Sequence, residues 1–381
     1  MSPVRTRYES LDFWRGLACL CVIVFHSTFY ASAAHPFDAA DPFAWLISAS
    51  ERMWIGVPIF FVISGYCITA TVDSALRKGL PVQSYFIRRF RRIYPPYLIC
   101  FAICIPFVEL ADRALPGLFT DDNHGFIRPS WMSLSQWLGN LTMTEEWRHL
   151  FLPTESFWLL GQAWTLCYEE QFYAITGLLL WCCPRRFFRG AALVSLFVLL
   201  VSPVAPHGTF ADGYWLQFAA GALVFYYCVH AQPRQKWWLL LPLVCGVIYA
   251  LSDLNQLLRQ IGGPRQSAFG AYTFALLLIG LRPWDQPLSA NIVTQPVSWC
   301  GRMCYSLYLV HMPIVKVISH GLWMLGVQST MATCLITVPL CLLASILVGQ
   351  LFYLRIERYF LNSREPVAVP NAPAIPAAIA G

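Results

Sequence analysis

Charge is what this chain has least of. Of 381 residues only 12% are Asp, Glu, Lys or Arg, while 57% are hydrophobic. Soluble domains carry about 25% charged residues, and the mean hydropathy here is +0.54, so an ordinary water-soluble fold is excluded. The ten-residue alternation of barrel strands is missing, and no internal repeat or domain boundary is visible. Fourteen cysteines are present, yet none is spaced Cys-x-x-Cys and none falls in a segment read below as an outer loop. They are read as small apolar packing residues, with neither a disulfide framework nor a metal site. No nucleic-acid partner is expected. A Gly-x-Ser-x-Gly elbow is also lacking, so a serine nucleophile of the hydrolase kind is not indicated.

What the chain does have is apolar length. Ten stretches recur, at about 11–31, 50–72, 94–111, 163–183, 190–204, 213–231, 237–252, 267–281, 303–320 and 330–354. Backbone groups in lipid must be satisfied within the segment, which makes these stretches helices. The predicted fold is therefore all-α: a polytopic membrane helix bundle of about ten transmembrane helices. With the N-terminus inside, nineteen of the 26 Lys and Arg residues fall on cytoplasmic segments, Arg5, Arg7 and Arg364 among them. The positive-inside rule then puts both termini in the cytoplasm. Residues 1–33 imitate a signal peptide, but Asp12 and His26 argue for an uncleaved first helix. Residues 1–361 read as one membrane domain, and the Pro- and Ala-rich stretch 362–381 as a disordered cytoplasmic tail. In the outer segment 112–162, Asp112, Asp121, Asp122, Glu145, Glu146 and Glu155 accompany Trp131, Trp137 and Trp147, a mixture suited to a sugar or to an ordinary interfacial loop.

Two residues do not belong in such a setting. Arg15 and His26 bracket an apolar run, and eleven helical steps return to nearly the same face about 16 Å further on. An ionisable group deep in a bilayer costs about 2.5–3.5 kcal/mol when charged, and such groups are usually functional. The pair points to a membrane enzyme or a transporter.

Five stretches then stand out in order: Leu11-Asp-Phe-Trp-Arg-Gly-Leu-Ala18 leading to His26, Gly56-Val-Pro-Ile-Phe-Phe-Val-Ile-Ser-Gly-Tyr66, Phe86-Ile-Arg-Arg-Phe-Arg-Arg-Ile-Tyr-Pro95, Trp164-Thr-Leu-Cys-Tyr-Glu-Glu-Gln-Phe-Tyr173 and Tyr305-Ser-Leu-Tyr-Leu-Val-His-Met-Pro313. Together they resemble the integral-membrane acyltransferase-3 family, bacterial proteins that O-acylate surface polysaccharides and related acceptors. The likeness runs from about 11 to Ile356-Glu-Arg-Tyr-Phe360. It stops short of the extracytoplasmic hydrolase-like domain that some members carry, so acyl delivery straight from the membrane domain is expected.

The resemblance implies an acyl-CoA-dependent O-acyltransferase of the bacterial inner membrane, with acetyl-CoA the default donor. Its acceptor would be a saccharide, either a polymer or a lipid-linked precursor. Membrane lipids and a polysaccharide synthesis complex are the other partners it brings to mind. Arg15 and His26 match the family's arginine–histidine pair. A neutral imidazole could take the acceptor's hydroxyl proton, or be acylated and relay the group. The basic loop Arg88, Arg89, Arg91 and Arg92 would bind the phosphates of coenzyme A through guanidinium forks. Glu169 matches the family's glutamate and would pair with Arg15 or His26; Glu170 lies about 100° round the helix, facing elsewhere. Ser64 and His311 read mainly as packing or channel-lining groups, and Pro58 as a kink. The rival readings are a secondary transporter or flippase for a glycan or lipid, and a non-catalytic subunit of a synthesis complex.

Overall fold

A computed structural model describes residues 8–34, 41–116, 118–119, 128–152, 156–252 and 264–361. Arg5, Arg7, Asp121, Asp122, Glu155, Arg364 and the tail 362–381 lie outside the described residues. Among those described there is no strand.

Among the described residues, ten helices of fifteen residues or more carry the fold, and they overlie the ten apolar stretches. They are α1 (Leu11–Ala34), α2 (Gly56–Arg77), α3 (Val82–Ala114), α4 (Trp164–Cys182) and α5 (Phe187–Val201). The remainder are α6 (Tyr214–Val229), α7 (Pro233–Leu251), α8 (Arg265–Gly280), α9 (Cys304–Met324) and α10 (Val338–Arg355). Among the described residues, four helical segments are long and apolar enough to cross a membrane: Leu11–Ala31, Ala44–Arg77, Val82–Ala114 and Thr330–Tyr359. Helices α5, α6 and α8 have 15, 16 and 16 residues, fewer than the roughly 20 that match a hydrocarbon core. Leu343, Leu347 and Leu351 of α10 and Leu193, Leu196 and Leu200 of α5 turn outward. Such contiguous apolar faces suit lipid rather than water.

Two departures from the expected layout bear on the site. The arginine run was expected as a loop; instead Arg88–Arg92 is helical, within the first third of a 33-residue α3. Pro95 and Pro96 follow inside the same helix. They remove the donors that would reach the carbonyls of Arg91 and Arg92 without ending the helix. Pro58 does not kink α2 in mid-span. It is the third residue of that helix, where a backbone donor is not needed, and the irregular 3₁₀ stretch is Arg52–Ile55, just before it.

Glycines set the closest approaches. A Cβ on Gly65 of α2 would lie 1.9 Å from the Phe218 carbonyl of α6, and one on Gly221 would lie 1.8 Å from the Val62 carbonyl. Helices α2 and α6 therefore touch backbone to backbone. Gly16 of α1 and Gly301 of the short helix Gln295–Arg302 make the same kind of contact. These crossings hold α1 and α2 against the bundle core, where the site forms.

Candidate functional site

Helices α1, α2, α3, α4 and α9 surround an open cavity of about 590 Å³, within the usual range of small-molecule sites, about 300–1,000 Å³. At one end it reaches Lys78 and Leu80 in the turn between α2 and α3; elsewhere its wall is Val57, Phe60, Thr165 and Tyr308. Six basic side chains line it (Arg15, Arg77, Lys78, Arg88, Arg89 and Arg92) against the carboxylates of Glu9, Asp12 and Glu169. That surplus of positive charge favours an anionic occupant.

The helical geometry of α3 divides the arginine run. Arg88 and Arg92 are one turn apart and Arg89 is their neighbour in angle, so all three reach the cavity. Arg91 points the other way, is exposed, and donates to the Tyr359 carbonyl at 3.4 Å. Arg89 donates to Thr71 Oγ1 at 2.8 Å and lies 5.6 Å from the Tyr173 ring centroid. Arg88 donates through Nε to the Ser84 carbonyl at 3.0 Å.

Arg15 is held from two sides, by Asp12 Oδ1 at 3.2 Å and by Cys67 Sγ at 2.9 Å. It shares the cavity with Glu169, but the carboxylate pairs with neither Arg15 nor His26. Its hydrogen bond comes from Tyr173 OH, one turn along α4, and Ser64 Oγ meets that same hydroxyl at 3.4 Å. Glu170 accepts from Tyr94 OH on α3 instead, and no cavity-lining residue is Glu170.

His26 stands outside this cavity. Its ring stacks on Tyr30 at 5.9 Å and 20°, and faces His311 of α9 at 5.3 Å between centroids. His311 is fully buried, with Nδ1 at 2.7 Å from the Tyr308 carbonyl. Tyr308, whose ring lies 5.7 Å from that of His311, also lines the cavity. The structure thus brings Arg15, Glu169, Arg88, Arg89 and Arg92 together, and leaves His26 and Arg91 outside the cavity lining. What the sequence could not show about His311 is that it faces His26. Its only sequence signal was a histidine inside a motif, and nothing in one dimension sets α9 against α1.

Among the described residues of the segment 112–162, the acids Asp112, Glu145 and Glu146 all have partners. Buried Asp112 is paired with Arg128 and accepts from the Phe119 amide at 2.7 Å. Glu145, fully buried, binds Arg148 at 2.7 Å and the Phe157 amide at 2.9 Å. Glu146 meets Trp158 Nε1 at 3.2 Å and His207 Nε2 at 3.1 Å. These acids are consumed in holding the chain together, because a buried carboxylate needs partners. His207, in the loop before α6, also sits 3.4 Å from Asp212. Hydrogen bonds to Asp212 and Glu146 raise its pKa to about 10.

Comparison with known proteins fits this arrangement. The family model described as an acyltransferase domain (Acyl_transf_3) matches residues 8–353. The peptidoglycan O-acetyltransferase OatA of Listeria monocytogenes is 26% identical over 345 residues, covering 81% of this chain and 50% of its own length. The O-acetyltransferase OatA of Staphylococcus aureus (strain NCTC 8325) is 24% identical over 340 residues, 80% of this chain and 50% of its length. The exopolysaccharide production protein ExoZ of Rhizobium meliloti is 27% identical over 332 residues, 81% of this chain and 89% of its length. The chain thus spans about half the length of the two OatA proteins. No solved structure matches it. All five motifs fall within the matched region, and the chain belongs to the acyltransferase-3 family.

Proposed function

We propose that the protein is a multi-pass O-acyltransferase of the bacterial inner membrane that moves an acyl group, acetyl by family precedent, from acyl-CoA to a hydroxyl of an envelope or extracellular polysaccharide. In this reading all ten long helices cross or dip into the bilayer and both chain ends face the cytoplasm. The donor enters the arginine-rimmed cavity from that side. Its phosphates meet Arg88, Arg89 and Arg92, whose planar forks suit such groups, and Arg15 steadies the charged portion nearest the thioester. Glu169, through Tyr173, keeps the wall polar where the pantetheine amides would lie. The acyl end passes Tyr308 toward His26, which takes the acceptor hydroxyl's proton as oxygen attacks the thioester carbonyl.

The observation that carries this reading is a cation-lined cavity whose wall includes Tyr308, the ring of which lies 5.7 Å from His311, itself 5.3 Å from His26. The relatives named for O-acetyl transfer to peptidoglycan and for exopolysaccharide production support a saccharide as acceptor. The test is release of free CoA from acetyl-CoA by the purified protein in liposomes, followed by mass spectrometry with a glycan acceptor present and absent. Acceptor-dependent CoA release that is lost in His26→Ala supports the proposal. Tight, saturable CoA-independent glycan movement across the liposome, with no CoA formed, would favour a flippase instead.

A further inference from the structure

His311 offers an answer to a question the proposed reaction leaves open: what sets the tautomer of His26. This step rests on the acyl-transfer reading above. A backbone carbonyl only accepts hydrogen bonds, so the 2.7 Å contact from His311 Nδ1 to the Tyr308 carbonyl requires the proton on Nδ1. Neutral His311 therefore presents Nε2 as a bare lone pair. That nitrogen is buried and has no hydrogen-bond partner among the described residues, and the same holds for His26 Nδ1. Two buried ring nitrogens without partners, on rings 5.3 Å apart, are a costly arrangement unless they serve each other, since an unmade buried hydrogen bond costs about 1–3 kcal/mol. The His26 side chain is partly exposed although its Nδ1 is buried, so the accessible edge of the imidazole is elsewhere on the ring.

We infer that His311 is a positioning residue for His26: it accepts a hydrogen bond from His26 Nδ1–H and thereby leaves Nε2 as the base that meets the acceptor hydroxyl. The contact closes by a small rotation of the His26 ring, as catalytic hydrogen bonds commonly do on forming the reactive complex. In the step itself the acceptor O–H proton passes to His26 Nε2 while the acceptor oxygen bonds the thioester carbonyl carbon. The C–S bond then breaks, and the leaving thiolate of CoA takes that proton from His26. Ester and free CoA are the products, and both histidines return to their starting tautomers. His311 Nε2 stabilises the transient imidazolium through Nδ1–H, the role a carboxylate fills in a hydrolase triad.

The experiment uses the full chain in liposomes with acetyl-CoA and a glycan acceptor, in wild type, His26→Ala, His311→Ala, His311→Gln and the double alanine variant, at matched amounts of protein that binds CoA. His311→Ala is expected to lower kcat about 10²–10⁴-fold with the KM for acetyl-CoA unchanged, because the donor cavity does not include His311. Glutamine, whose amide oxygen can accept from His26, should restore at least about tenfold, and the double variant should be no slower than His26→Ala, since residues acting as a unit are not additive. Nitrogen-15 spectra of labelled histidine should lose the Nδ1–H tautomer signal of His26 in His311→Ala. A fully active His311→Ala beside an inactive His26→Ala overturns this inference alone, as does a variant that raises KM without touching kcat. A fully active His26→Ala overturns the base assignment and this inference with it.

Discussion

Arg91 and Arg92 are adjacent in sequence, equal in charge and opposite in predicted consequence. Arg92 lines the cavity proposed for the donor; Arg91 is exposed and holds only a long contact to the Tyr359 carbonyl. A hydrogen bond between charged groups contributes about 1.5–3 kcal/mol, and every 1.4 kcal/mol is tenfold in affinity. Arg92→Ala should thus weaken CoA binding by about ten- to one-hundred-fold. Arg91→Ala removes an exposed charge that solvent and salt already screen, and should change it by less than about twofold. Neither arginine makes a buried bond that the fold depends on, so both variants should purify normally. Calorimetric titration of CoA into the detergent-solubilised protein at two salt concentrations reads the difference directly. Equal losses at the two positions would mean that the run acts as diffuse charge and that its helical division is irrelevant. No loss at Arg92 would put the donor phosphates elsewhere.

Further outcomes follow from other contacts. Glu169→Gln should lower turnover while Glu170→Gln should leave CoA binding intact, because only Glu169 faces the cavity and Glu170 is bound to Tyr94; kinetics of the two variants separates them. Gly65→Ala should lower the thermal midpoint in detergent by the equivalent of about 1–3 kcal/mol of overpacking, since its Cβ would collide with the Phe218 carbonyl at 1.9 Å, whereas Gly321→Ala meets nothing within 4 Å and should be silent. Breaking the buried pair by Glu145→Ala should cost about 3–5 kcal/mol, read as loss of folded protein. His207 is held protonated by Asp212 and Glu146, with its pKa raised to about 10 from about 6.5 in an unfolded chain. Its contribution to stability is full below about pH 6.5 and is lost as pH rises through about 10. His207→Ala should therefore flatten the alkaline side of a stability–pH curve and lower stability near neutrality.

The sequence carried the helices because apolar length is a one-dimensional property, and all ten predicted stretches coincide with long helices. It also implied, from the helical angle alone, that Glu169 and Glu170 face different ways, although the choice of Glu169 came from the family resemblance. What it could not carry was contact between elements. Glu169 was expected beside Arg15 or His26, but Tyr173, one turn away on its own helix, is its partner. The arginine run read as a loop because charge interrupts the apolar pattern, yet the charges sit on a helix that begins well before the apolar stretch. For the carboxylates of 112–162 the sequence left a sugar site and an ordinary loop both open, because it does not display the arginines and backbone amides that meet Asp112 and Glu145. His311 was read as a packing or channel-lining group, because nothing in the sequence shows that the ring facing it is that of His26, almost three hundred residues away.

The central claim is acyl transfer that depends on His26. Mass spectrometry of envelope and secreted glycans tests it most directly, in a deletion strain, the same strain restored with wild type, and the strain restored with His26→Ala at equal membrane abundance. An ester lost on deletion, recovered with wild type and absent with the variant is the predicted result, and it would identify both the acyl group and the acceptor. Full recovery of the ester by His26→Ala would contradict the account.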